Sequence, residues 1–274
     1  MARSLSSTPA PGDEPGAGHF GIVPLAASAF VLCVMLLSLA GAPSAAGQGG
    51  AGPLLPDLGV APLRDPLIER TQTNQRRLRF TVSIANIGAG PIQIEAARPS
   101  ASSAFQTYQR ITRANGTSFR VPTPGARLEF AGSEQHGHWH IRGAARYELR
   151  RLSDGTPARI RVKRGFCLFD STPYKLRLAG APKKGKYKRT DCGKKSDLEL
   201  AMGVSTGWKD DYYWRIPGQV MEITNLPHGK YRLFVRVDGR NWFRESNERN
   251  NVAWIDIEIS DSLLVKVLGR SPRL

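Results

Sequence analysis

The stretch EQHGHWHIRGAARYEL, residues 134–149, places His136, His138 and His140 on alternate positions and so uses three of the chain's five histidines. In an extended strand alternate side chains share a face, with their Cα atoms roughly 6.5–7 Å apart. Three imidazoles on one face converge on a single ion if the strand bends. Gly137 makes a bend easy, and Trp139 takes the opposite face. Imidazole clusters suit copper and zinc. From these residues alone two chemistries stand open: a zinc hydrolase with a position left for water, or a copper site for oxygen chemistry. The plain alternative is a set of solvated histidines on an edge strand.

The elements around this stretch must hold it, and they are written with period two. Leu78, Phe80, Val82 and Ile84 alternate with Arg79, Thr81 and Ser83, and residues 88–91 turn the chain into a second strand through Ile92 and Ile94. Tyr231, Leu233, Val235 and Val237 alternate again, and residues 252–259 return after a polar connection, as in a hairpin with a long loop. Shorter strands are expected at residues 109–112, 160–162 and 219–224. No strong helical periodicity appears in this part of the chain. The expected fold is all-β, an antiparallel β-sandwich with long loops.

The chain has 274 residues and 41% hydrophobic content, enough for one large domain with a buried core. Residues 22–42 carry no charge, and the small residues of APSAAG follow where a signal peptidase would cut. The apolar run also reaches the length of a bilayer crossing. Residues 1–46 are therefore expected to be a signal peptide or an N-terminal membrane anchor, making the protein secreted or extracytoplasmic. A Gly-rich linker is expected at 47–53, the folded domain at 54–262 and a C-terminal tail at 263–274. Of three cysteines, Cys33 lies in the apolar segment. In an oxidising compartment a disulfide between Cys167 and Cys192 is the simplest reading of the other two. The net charge of +16 favours anionic surfaces such as cell-envelope polymers. No nucleic-acid motif is present, and nucleic acid is not an expected partner.

Several blocks carry a resemblance to a known family. LLPDLGV, EQHGHWHIRGAARYEL, VKRGFCLFDS, MGVSTGWKDDYYWRIPGQVMEIT and LPHGKYRLFVRVDGRNWFRESNERNN occur in the order of the lysyl oxidases and span essentially all of the exported portion. The sequence resembles a bacterial-type homologue of these copper amine oxidases, which bear a lysine tyrosylquinone cofactor. The resemblance implies copper on His136, His138 and His140, a quinone formed from Lys163 and Tyr212, and Asp210 as a general base. Lys209 stands where the family has its first tyrosine, and Tyr213 directly follows Tyr212, which offers a second register. The ESNERNN turn also resembles adhesion-like β modules of bacterial surface proteins.

The activity so implied is oxidation of primary amines, either small amines or peptidyl lysine, by dioxygen to aldehydes, with release of ammonia and hydrogen peroxide. The competing expectation is a non-catalytic metal-binding or cell-surface binding β-sandwich module. Without the resemblance, Lys163 is one basic residue among 39 Lys and Arg. Likewise, Tyr212 to Trp214 would read as core aromatics, and Asp210 with Asp211 as a solvated turn.

Overall fold

The computed structural model describes residues 52–132, 137–163, 165–260 and 262–274. The expected export segment, most of the linker and His136 lie outside these residues. Within them the fold is all-β, a sandwich-like stack of antiparallel sheets with long loops. The strand Arg76–Asn86 organises the largest sheet. It pairs with Leu58–Val60, Arg64–Arg70, Trp208–Tyr212 and Val220–Glu222, and Thr172–Pro173 extends the sheet beyond Trp208–Tyr212. Its first half shows the expected alternation, with Leu78 and Phe80 buried and Arg77 and Arg79 half-exposed. From Phe80 to Asn86 every residue is buried, because the sheet is covered on both faces there.

A second sheet runs in the order Pro157–Val162, Ala145–Arg151, Gly229–Val237, Val252–Ile259, Val265–Arg270. The hairpin of Gly229–Val237 with Val252–Ile259 forms as its alternation requires. Tyr231, Leu233, Val235 and Val237 on one strand and Ala253, Ile255, Ile257 and Ile259 on the other are buried. Burial of each large apolar side chain contributes about 1.5–3 kcal/mol. Phe80 from the first sheet meets Tyr147 from the second edge-to-face, with ring centroids 5.0 Å apart, so the two sheets share one core. A third sheet contains Gln106–Arg113, Ile92–Ala97 and Glu199–Val204. A small fourth sheet joins Leu128–Ala131, His138–Arg142 and Gly165–Phe166.

Two boundaries differ from expectation. Pro53, assigned to the linker, begins the short strand Pro53–Leu54 paired to residues 112 and 113. Residues 263–274 are not a tail, since Val265–Arg270 pairs with Val252–Ile259. Val265 and Val267 pack on the core, and the strand covers an edge whose N–H and C=O groups would otherwise be open. The strands on either side of the turn at residues 88–91 form as expected but enter different sheets. A Cβ on Gly88 or Gly90 would collide with the backbone of residues 54–57, which explains why the crossing uses glycine.

Candidate active site

Lys163 follows the strand Pro157–Val162 and continues its pairing, its N–H donating to Ala145 O at 3.0 Å. Alternation then decides its fate. Val162 faces solvent and Lys163 turns inward. The amine lies 3.8 Å from the centroid of the Tyr212 ring and 4.5 Å from that of Phe166. It donates to Gln219 Oε1 at 2.9 Å. Burial pushes the Lys163 pKa down to about 7, with Asp210 opposing and Arg161 reinforcing the shift. A neutral amine is therefore accessible near neutral pH, which is what a nitrogen nucleophile requires.

Tyr212 and Asp210 stand two apart on the strand Trp208–Tyr212 and share its inner face, held opposite Val82 and Ile84. The phenol donates to Cys167 O at 2.9 Å, and its ring meets Phe166 edge-on at 4.5 Å. The Cys167–Cys192 disulfide anchors the segment that supplies that carbonyl. Burial and the neighbouring Asp210 raise the Tyr212 pKa well above the phenol range, so the ring keeps its proton. Asp210 is fully buried. Ser171 Oγ donates to its Oδ1 at 2.9 Å, while Oδ2 has no hydrogen-bond partner. Burial raises its pKa to about 7, against the lowering influence of the Tyr212 and Ser171 hydroxyls and the Lys163 charge.

Asp211, on the other face, is treated oppositely. Burial alone would raise its pKa, but Lys209, Ser83 and Thr172 all donate to it and hold it low. Lys209, the departure from the family pattern, thus forms an ion pair with Asp211, as does Arg64 at 3.4 Å. The two candidate tyrosines separate just as clearly. Tyr212 is 8% exposed and faces Lys163, whereas Tyr213 is 46% exposed.

His138 and His140 share one face of the strand His138–Arg142, their rings 4.7 Å apart and their Nε2 atoms 2.9 Å apart. Nitrogens bound to one ion at about 2.0 Å and at right angles would be separated by about 2.9 Å, so this pair fits the tetragonal geometry of copper, whereas tetrahedral zinc would part them to about 3.3 Å. Gly137 has φ +51°, the left-handed bend that the spacing called for. Trp139 points the other way, against Phe105 and Phe130, and its indole N–H donates to Lys194 O at 2.8 Å. That bond ties the segment just after Cys192 to the histidine strand. The strand Gly165–Phe166 pairs with Ile141 and Arg142, and so joins the histidine strand to the Lys163 segment. His136 lies outside the described residues.

Gln219, Tyr147 and Phe166 are the parts that sequence reasoning missed. Tyr147 could be read as an inward residue of its strand, but nothing local marks Gln219, which its position in a turn brings to Lys163. Elsewhere, Asp238, Glu245 and Glu248 bring carboxylate oxygens within 4.8 Å of one another, beside the ESNERNN turn. Glu245 accepts from the backbone of Leu58 and from Asn251. Burial raises Glu245 to about 8 and Asp238 to about 6, so near neutral pH Glu245 keeps its proton while Asp238 is largely ionised.

The lysine, tyrosine and aspartate thus meet in the core of an all-β sandwich, with an imidazole pair on a strand tied to the Lys163 segment. The sequence pattern described as Lysyl oxidase matches residues 101–268, which include every residue of the site. The chain belongs to the lysyl oxidase family. No curated protein sequence matches it.

Proposed function

We propose that this protein is an exported copper-dependent amine oxidase that converts primary amines to aldehydes. The overall reaction is RCH2NH2 + O2 + H2O → RCHO + NH3 + H2O2. The observation that carries this reading is the amine of Lys163 lying 3.8 Å from the Tyr212 ring in a buried pocket. Copper on His136, His138 and His140 would supply redox chemistry with dioxygen, and a lysine tyrosylquinone from Lys163 and Tyr212 would supply an electrophilic carbonyl for the substrate amine.

The chain's own residues support these roles. The low pKa of Lys163 leaves its lone pair available for the ring. Cys167 O fixes the phenol's direction, and Phe166 closes the pocket to water on one side. Asp210 carries a carboxyl poised near neutrality with one oxygen unpartnered, the requirement for taking the α-proton of a bound amine. The charge of +16 disfavours lysine-rich substrates and favours small amines, or lysines in acidic surroundings. It also supports residence at an anionic envelope, reached through the apolar segment at residues 22–42, whether that segment is cleaved or kept as an anchor.

The test is intact mass after expression with copper in air. Maturation gains one oxygen and loses four hydrogens relative to the disulfide-bonded chain, and gives a quinone stain. His138→Ala is expected to lose copper and the modification together, whereas Lys163→Ala keeps copper and stays unmodified. Copper binding with an unchanged mass in the native chain would instead support a non-catalytic metal-binding module.

A further inference from the structure

Gln219 is fully buried at the end of the turn that follows Tyr212. The N–H of Ile216 donates to Tyr213 O and that of Gln219 to Ile216 O, while Gly218 at φ +80° lets the chain double back. The Gln219 side chain is thereby brought to the pocket that holds the ring seven residues earlier. Its Oε1 accepts two hydrogen bonds, from Lys163 Nζ at 2.9 Å and from Tyr147 OH at 3.0 Å. Its Nε2 is buried with no partner. A buried, unsatisfied N–H is unfavourable, and the amide keeps this orientation because two donors meet on its oxygen.

We propose that Gln219 is the positioning residue for the bond between Lys163 and Tyr212. An amide oxygen takes one N–H of the amine without demanding a positive charge, so the lone pair stays free to face the ring. A carboxylate at the same place would hold the same N–H but favour the ammonium form, whose nitrogen has no lone pair. Tyr147, itself held protonated by burial, occupies the second lone pair of Oε1 and fixes the amide's rotation. The other groups that set the charge of Lys163 are Asp210, which favours the ammonium, and Arg161, which opposes it. In the step served, a C–N bond forms between Lys163 Nζ and a Tyr212 ring carbon. Two dioxygen molecules act as oxidant: one oxygen atom enters the ring, and the four hydrogens lost leave as one water and one hydrogen peroxide.

This inference rests on the quinone reading of the site, and its test has an arm that does not. In the metal-free protein, the Lys163 13Cε resonance is titrated by NMR in the native chain, Gln219→Glu and Gln219→Met. Gln219→Glu is expected to raise the Lys163 midpoint by at least one unit, a tenfold fall in the ratio of neutral amine to ammonium. Gln219→Met leaves the midpoint at or below the native value. With copper and air, cross-linking measured by peptide mass mapping should slow at least tenfold in both variants. It should recover in Gln219→Glu at alkaline pH and should not recover in Gln219→Met. Unchanged Lys163 titration in Gln219→Glu overturns the proposal, as does native cross-linking in a folded Gln219→Met. A native chain that never cross-links refutes the quinone reading instead, and the titration arm still reports on Gln219.

Discussion

Asp210→Asn should make the protein more stable while making it a worse enzyme, and the stability gain should depend on pH. Asp210 is fully buried, accepts from Ser171 on one oxygen and has no partner for the other. Its pKa is raised from 3.8 to about 7. Because the folded-state value is the higher one, the native protein holds a proton that the unfolded chain releases. The associated stability is fully present below the unfolded value and is lost as pH rises through about 7. A shift of roughly three units at about 1.4 kcal/mol each gives at most about 4 kcal/mol. The opposing charge of Lys163 is already contained in the value of about 7, so it takes nothing further from this figure. Asparagine imitates the protonated carboxyl and is blind to pH. Urea unfolding of the metal-free, disulfide-intact protein at about pH 4.5 and about pH 8 should show the variant's advantage larger by about 3 kcal/mol at the higher pH. Any fixed effect of exchanging carboxyl for amide is common to both conditions and cancels in the comparison. Amine oxidation should fall by about 10²–10⁴-fold with loss of the base. An equal stability difference at both pH values would refute the argument that burial governs this carboxyl.

Two other perturbations probe the scaffold that brings the halves of the site together. Gly165→Ala would place a Cβ 2.5 Å from His140 Cβ, so the histidine strand must shift. Copper affinity should drop by about 10–100-fold in a direct titration, and unchanged affinity would mean that His140 is not a ligand. Replacing Cys167 and Cys192 by serine opens a link with a sequence separation of 25 and should cost about 3 kcal/mol in denaturant unfolding. Loss of quinone yield beyond that explained by unfolding would show that the Cys167 carbonyl also orients Tyr212.

Much of this molecule was legible in the order of its residues, because alternation is a local signal. Phe80, Leu233 and Ile255 reveal their strands from their neighbours alone, and the placement of Asp210 and Tyr212 on one face follows from strand geometry once the strand is granted. The cysteine pair was legible by elimination. Burial of Lys163 was not, since the local sequence of a buried lysine is the same as that of a solvated one. Only the return of residues 208–219 against it, from far along the chain, removes water from its amine. Gln219 was hidden for the same reason. The strand Val265–Arg270 was missed because its partner edge exists only after the preceding hairpin has formed.

The cluster of Asp211 with Lys209, Ser83 and Thr172, on the face turned away from the chemistry, has a consequence for evolution by insertion and deletion. A slip of one position along Trp208–Tyr212 would exchange the faces of the whole strand, bringing Asp211 and Tyr213 inward and expelling Asp210 and Tyr212. Apolar packing alone resists such a slip weakly here, because tyrosines and aspartates sit side by side in both frames. Arg64 and Ser83 reach Asp211 from other strands and fit it in one frame alone, whereas Lys209, on the same strand, would slip together with it. These cross-strand partners therefore act as a registration pin, and loops on either side of this strand can change length while the strand itself stays locked.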